Sequence, residues 1–396
     1  MSSSARPNDV TTLLNDRIAG MEDELIAIRR DIHAHPELGM DTPRTAALVA
    51  EELRAIGLTP RTGVGGHGVT AEIAGGAPGP TLLLRADMDA LPMPELTGLP
   101  YASTIPGRMH ACGHDIHTTT LLGAARVLAE LAPQLRGTVR LVFQPAEETV
   151  ESGAKAMVAA GAAEGADMAI AFHNRPEMPV GQFGYTRGAA TASADEFDVT
   201  IQGRSGHAAR PHAALDPIVA AASIILQLQT AISRTMDPSQ SAVLTVGHIQ
   251  GGFTHNIIPD TCFFQGTVRC RSPESRDQME DTFRRITEGA AAAMGVTADI
   301  TYHRGAPALI NDDRVVDATI KAVDAQFPGT VEQLQGRFGA EDFSYFSDLI
   351  PSCQLLVGAS QPGRNDRVHN SNYQPDERCI GLGVAALSRA ALDILS

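Results

Sequence analysis

The sequence predicts an α/β protein, with a mostly parallel mixed sheet flanked by helices and an inserted ferredoxin-like α+β domain. Three observations carry this. In the first half of the chain, short apolar runs alternate with amphipathic stretches. After Gly188 that rhythm gives way to the order strand, helix, strand, strand, helix, strand. From Asp312 the helix–strand alternation resumes, so the first domain is split in sequence and the second is inserted into it.

Residues 11–30 and 43–57 place apolar side chains at helical spacing, among them Leu14, Ile18, Leu25 and Ile28, then Ala46, Val49 and Leu53. Strands follow over 69–74 and 81–87. A helix begins near Thr118 and is closed by Pro133. Next come a strand over 138–143, a helix from Ser152 and a strand over 167–172. The inserted part reads as a strand over 195–202, a helix over 217–233, two strands (SAVLTVGHI and TCFFQGTVR), a helix over 274–294 and the strand TADITYH. A helix near 314–326, the strand CQLLVGA and a helix near 378–394 complete the chain. The expected domains are 10–190 plus 305–396, and 191–304. At 396 residues the chain can bury a core in each.

A net charge of −15 speaks against a nucleic-acid partner, which requires a basic face. No uninterrupted apolar run approaches the roughly 20 residues that span a bilayer. The start, MSSSARPNDV, shows no secretory pattern. Five irregularly spaced cysteines do not make a disulfide framework, so a reducing compartment, the cytoplasm, is expected.

The strongest local signal is HACGHDIH, residues 110–117, with three imidazoles, a thiol and a carboxyl in eight residues. Cys112 and His114, just before a helix, suit zinc or a similar transition metal. The strand over 138–143 ends in QPAEET, which sets Glu147 and Glu148 at the end where open α/β sheets gather ligands. One of two such glutamates can hold metal while the other takes a proton. Alone the pair would read as a solvated loop; the cysteine–histidine cluster changes that weighting. His173 closes DMAIAFH in the same topological place, and His369 stands in a loop before the last helix. Asp87 and Asp89 end the strand over 81–87, where they could bind metal, orient a histidine or merely make a turn. His33 and His35 resemble a metal dyad but follow a helix and read as structural. GVGGHG, residues 63–68, matches a dinucleotide fingerprint; a strand follows it rather than a helix, which rejects that reading. In the inserted part, His207 could donate to an oxyanion. Asn256 adds an amide, and Arg269 could clamp a carboxylate.

Taken together, RRDIHAHPELG, RADMDALP, MHACGHDIH, LVFQPAEE, FHN, SGHAARPH, HNIIPD, GAEDFSYF and VHN resemble the bacterial and plant amidohydrolases. That group includes hippurate hydrolase, N-acyl-amino-acid amidohydrolases and auxin-conjugate hydrolases, within the wider set of aminoacylases and carboxypeptidase G. The resemblance keeps its order from about residue 24 to 390. It implies a metallopeptidase-like catalytic domain, an inserted lid or dimerisation domain, and a homodimer or dimer-based tetramer. The implied activity is hydrolysis of a small N-acyl amino acid by two divalent ions, Zn2+ or Mn2+, with Co2+ or Ni2+ as further candidates. Residue by residue, it implies Cys112 as the ligand bridging both ions, Glu148 and His369 completing one site, and His114 and His173 the other. It further implies Glu147 as general base, Asp89 behind the ligands, His207 reaching the neighbouring subunit's site, and Asn256 and Arg269 as substrate contacts. Where many members carry a glycine run after the glutamates, this chain has TVESGA, and Glu151 could charge the pocket mouth. A dipeptidase or a biosynthetic N-acyl deacylase of the same superfamily is the alternative. A non-catalytic metal binder fits less well, because it has no need of a base beside a ligand.

Overall fold

The run TLLLRAD is the inner end of a strand, Ala77–Asp87, whose residues from Leu82 onward are all buried. Both faces are covered, which is why the run is continuously apolar rather than alternating. In this computed structural model, which describes residues 7–396, that strand lies inside an eight-stranded sheet. The first six residues read for a secretory signal lie outside the described residues. The sheet order is Arg61–Val64, Gly68–Ala74, Arg136–Gln144, Ala77–Asp87, Met168–Pro179, Ser352–Ser360, Phe183–Tyr185, Val331–Gln333. The four strands from Arg136–Gln144 to Ser352–Ser360 run parallel; Gly68–Ala74 and Phe183–Tyr185 pair antiparallel to them. The parallel strands therefore share one C-terminal edge, and Asp87, Gln144 and the His173 segment come to it.

The helix His114–Leu131 covers the sheet, burying Leu121, Leu122, Ala124, Ala125 and Leu128 in the main core. It starts four residues before the expected Thr118. The first turn, HDIH, looks hydrophilic, yet it is buried: Asp115 meets Arg29 and His33, and His117 meets Asp87 and the Asn174 amide. Gly113 makes the start possible, with φ of 93°. The expected helix over 11–30 is two helices, Pro7–Ala19 and Glu22–Ala34, broken where Gly20 and Met21 turn the chain. GVGGHG lies between two antiparallel strands, so it opens no helix.

The chain divides into two compact units. One runs to Ala190 and resumes as Ile310–Gly336 and Asp342–Ser396; the other is Thr191–Leu309 with Arg337–Glu341. The second unit holds a four-stranded antiparallel sheet in the order Ala242–Gly251, Thr261–Cys270, Asp195–Gln202, Thr297–Arg304. With helices Pro217–Thr230 and Pro273–Ala293, this is the ferredoxin-like arrangement. Its core joins Phe197, Val199, Ile224, Leu228, Phe264 and Phe283. Asp216 caps the first helix by accepting from the amides of Ile218 and Val219. Ser272 caps the second in a capping box with Ser275. Each such cap contributes about 1 kcal/mol. By length and composition alone, Pro217–Thr235 also meets the threshold for a bilayer-crossing helix, which reading by uninterrupted apolar runs passed over. Its inner face, with Ile224, Leu228 and Ala231, is part of the second unit's core.

Candidate metal centre

Five side chains from four segments converge at the C-terminal edge of the parallel strands. The sulfur of Cys112 lies 3.6 Å from Nε2 of His173. Nε2 of His114 lies 3.8 Å from Oε1 of Glu148 and 3.9 Å from Oε2 of Glu147. Nε2 of His369 lies 3.1 Å from the same Glu148 oxygen. Cys112, His114 and His173 have donor atoms within 4.8 Å of one another, as do Cys112, Glu148 and His369. These two triads share only the thiol. A third group, His114, Glu147 and Glu148, brings Glu147 to the same place.

Local structure explains the convergence. Cys112 sits on the loop before Gly113, where the left-handed turn admits no side chain; a Cβ there would lie 2.2 Å from Oδ1 of Asn174. His369 is itself at positive φ, 59°, and donates its amide to the carbonyl of Ala111, tying the two loops together. Asp89 lies beneath the glutamates: Oδ1 accepts from the amide of Glu147 at 2.9 Å and Oδ2 from that of Glu148 at 3.1 Å. The first of these oxygens is also 3.4 Å from Nδ1 of His114. Nδ1 of His173 lies 2.7 Å from the carbonyl oxygen of Asn174, which leaves Nε2 turned to the cluster.

The electrostatics favour a cation. His114 is buried, with Nδ1 3.4 Å from Asp89 and Nε2 facing Glu147 and Glu148 without a hydrogen bond, an arrangement that native proteins avoid unless something else satisfies the group. Burial opposes a charge on this ring, yet Asp87, Cys112 and Asp89 outweigh it and raise its pKa well above the ordinary range. The same pull acts on a metal ion. Burial, then the negative charge of Glu148, pushes the Cys112 thiol well up; a bound cation reverses that balance and holds thiolate. Burial lowers His173 to about 3, so its ring is neutral at pH 7, as a ligand must be. Burial opposes ionisation of Glu148 too, but the hydrogen bond from His369 and the His114 charge keep it below the usual carboxylate range. Thiol, imidazole and carboxylate donors at this spacing fit divalent transition metals.

The family model for peptidase family M20/M25/M40 matches residues 83–393. The chain belongs to that family. As an M20 family member it is a hydrolase of amide bonds. It is 41% identical over 377 residues to an N-acetyl-L-cysteine deacetylase of Bacillus subtilis, covering 94% of this chain and 89% of the relative. It is 36% identical over 395 residues to thermostable carboxypeptidase 1 of Saccharolobus solfataricus, covering 98% of each. Among solved structures it is similar, at TM-score 0.85 and 33% identity, to a dinuclear metal binding M20 peptidase of Bacillus subtilis, over 95% of this chain and 99% of that one.

His207, Asn256 and Arg269 belong to the second unit of this M20 chain, whereas the donor cluster is built entirely within the first. His207 is exposed, on a two-residue strand paired with Ile257–Ile258, and Nδ1 accepts from the amide of Ala209. Asn256 is its neighbour: its carbonyl accepts from the amide of Ala208. Arg269 stands on the sheet opposite Val243, beside a cleft that Glu196, Asp198 and Gln265 also line.

His117, Asn174 and Tyr373, buried around the cluster, carry no separate signal in the sequence, whereas His33 reads as structural there. His117 bonds Asp87 through Nδ1 at 2.6 Å and accepts the amide of Asn174 on Nε2. The Asn174 side chain meets the hydroxyl of Tyr373. His33 is structural: Nδ1 lies 2.8 Å from Asp115 Oδ2, which also takes Nε of Arg29 at 2.7 Å. The signal available was polarity in apolar company, as with Arg85 inside TLLLRAD.

Proposed function

We propose that this chain hydrolyses the amide bond of N-acyl amino acids, with two divalent ions held by Cys112, His114, Glu148, His173 and His369. Cys112 serves both ions; Glu148 and His369 complete one set of ligands, His114 and His173 the other. The observation that carries the reading is the shared thiol: two donor triads meet at Cys112 alone, with Glu147 beside them. Such ions, when bound, acidify water and polarise a carbonyl.

Glu147 does the proton work. Its carboxylate takes a proton from the attacking water as the oxygen bonds to the amide carbon. When the carbon–nitrogen bond breaks, Glu147 returns that proton to the leaving nitrogen. Asp89, bonded to the amides of both glutamates, fixes where the carboxylate stands. His207, supplied by the neighbouring subunit of a homodimer or dimer-based tetramer, donates a hydrogen bond to the oxyanion. Asn256 and Arg269 hold the carboxylate of a small-molecule substrate. The thiolate favours zinc, with manganese, cobalt and nickel as alternatives. The inserted unit serves as lid and dimerisation domain, and free cysteines at all five positions support a cytoplasmic setting.

The deacetylase and carboxypeptidase relatives give the test its panel. Metal-loaded protein is offered N-acetyl-L-cysteine, N-acetyl and N-benzoyl derivatives of other amino acids, and unblocked dipeptides. Cleavage of the acylated substrates, abolished by chelation and restored by metal, is the expected result. Turnover of dipeptides alone would move the chain to the dipeptidase reading.

A further inference from the structure

We infer that Asp342 is a positioning residue for the loop that carries Glu147 and Glu148, holding both feet of that loop through one buried carboxylate. The inference rests on the reading of Glu147 as the proton carrier. Asp342 comes from a segment almost two hundred residues further along the chain, in GAEDFSYF, and is buried.

Its oxygens take donors from each side of the loop. Before it, Nε2 of Gln144 donates to both carboxylate oxygens, at 2.7 and 2.8 Å. After it, Oγ of Ser152 donates at 2.8 Å and the amide of Ala154 at 3.2 Å. The span between, 145–151, holds the two glutamates. Two non-glycine residues in the left-handed region flank the glutamates, Ala146 inside the span with φ 54° and Ser152 just after it with φ 47°. Such conformations persist only where surrounding contacts over-determine them. The contacts here include those of Asp342, the bonds from the Glu147 and Glu148 amides to Asp89, the bond from the Gly153 amide to the Ala146 carbonyl, and the bond from the Ala146 amide to the Gly39 carbonyl.

The carboxylate is in turn held by charge. Nη2 of Arg85 donates to Asp342 at 2.8 Å, Nη1 to Asp87 at 2.7 Å, and Nε to Oε1 of Gln144 at 2.8 Å. Asp87 continues the chain to His117, whose other nitrogen accepts the amide that follows His173. One buried network thus runs from the feet of the glutamate loop to the histidine strand. Every member is hydrogen-bonded, the condition under which buried polar groups specify a geometry. Removing a carboxylate oxygen sets a donor against donors and takes away the negative charge that faces Nη2 of Arg85.

The experiment compares Asp342→Asn with wild type and Glu147→Gln, all metal-loaded, using N-acetyl-L-cysteine and reading kcat and KM per folded, metal-loaded chain. Hydrogen exchange at the Ala154 amide is followed in parallel. The expected result for Asp342→Asn is a tenfold or greater fall in kcat, KM within about twofold, and faster exchange at Ala154. A kcat within twofold of wild type, beside an inactive Glu147→Gln, overturns the inference alone. An active Glu147→Gln overturns the proton-carrier reading and the inference with it. If Asp342→Asn does not fold, Ser152→Ala decides: a threefold or greater loss of kcat at unchanged KM supports the role, and an unchanged kcat overturns it.

Discussion

The sulfur of Cys112 and Nε2 of His173 stand 3.6 Å apart although 61 residues separate them. One belongs to a loop entering a helix, the other to a strand of the parallel sheet. Nothing local brings them together. They meet because parallel strands deliver their C-terminal ends to one edge, and because Gly113 lets the loop bend close against Asn174.

If Glu147 carries the proton, Glu147→Gln removes the carrier and leaves the ligands. Metal content should match wild type while kcat falls by about a hundredfold to ten-thousandfold, the usual range for loss of acid–base catalysis. Steady-state kinetics alongside metal analysis of the same sample decides it.

Gly113→Ala tests the turn beneath the thiol. The residue has φ of 93°, and an added Cβ would meet the Asn174 side chain at 2.2 Å. Either the turn or Asn174 must move, at a cost of about 1–3 kcal/mol. Denaturant unfolding should show that loss, and metal affinity should weaken with it because Cys112 is the adjacent residue. Wild-type stability and affinity in this variant would count against the turn as the device that places the thiol.

One part of the pH dependence of the metal-free protein follows from His110. Burial holds this ring at about 3, against an ordinary 6.5. Between those values the unfolded chain binds a proton that the folded chain does not. The contribution of this group to stability is therefore fully present above pH 6.5 and falls as the pH drops toward 3. By pH 5 the loss from this one group is about 2 kcal/mol. His110→Met should flatten the curve between pH 7 and pH 5 by roughly that amount, as read from urea unfolding at each pH. An identical pH dependence would contradict it.

A trans role for His207 has a mixing test. Each inactive variant, Glu147→Gln and His207→Ala, keeps what the other lacks. Hybrid dimers formed by subunit exchange should recover a fraction of wild-type turnover, and no recovery despite proven exchange would place His207 in cis or outside the reaction.

The donor side chains that meet at the cluster are more legible in the sequence than their surroundings. Thiol, imidazole and carboxylate side chains in short polar clusters between apolar runs form a chemical pattern legible without coordinates, and the structure brings those of Cys112, His114, Glu148, His173 and His369 together. Apolar periodicity marked most strands and helices for the same reason. The misses came where a polar residue is buried by a distant partner. HDIH reads as solvated until Asp87, His33 and Arg29 are set around it, so the helix appeared to begin four residues late. Asp342 has no local sign of its role, because its partners Arg85, Gln144 and Ser152 lie far up the chain. Gly20 ended a helix that the apolar spacing alone ran through.

The most direct test of the account is metal stoichiometry. Protein stripped with a chelator and titrated with Zn2+ should bind two equivalents per chain. His173→Ala and His369→Ala should each bind one equivalent tightly, and Cys112→Ala should weaken both. Saturation of the wild type at a single equivalent, or Cys112→Ala binding two as tightly as wild type, would contradict a centre built around the shared thiol.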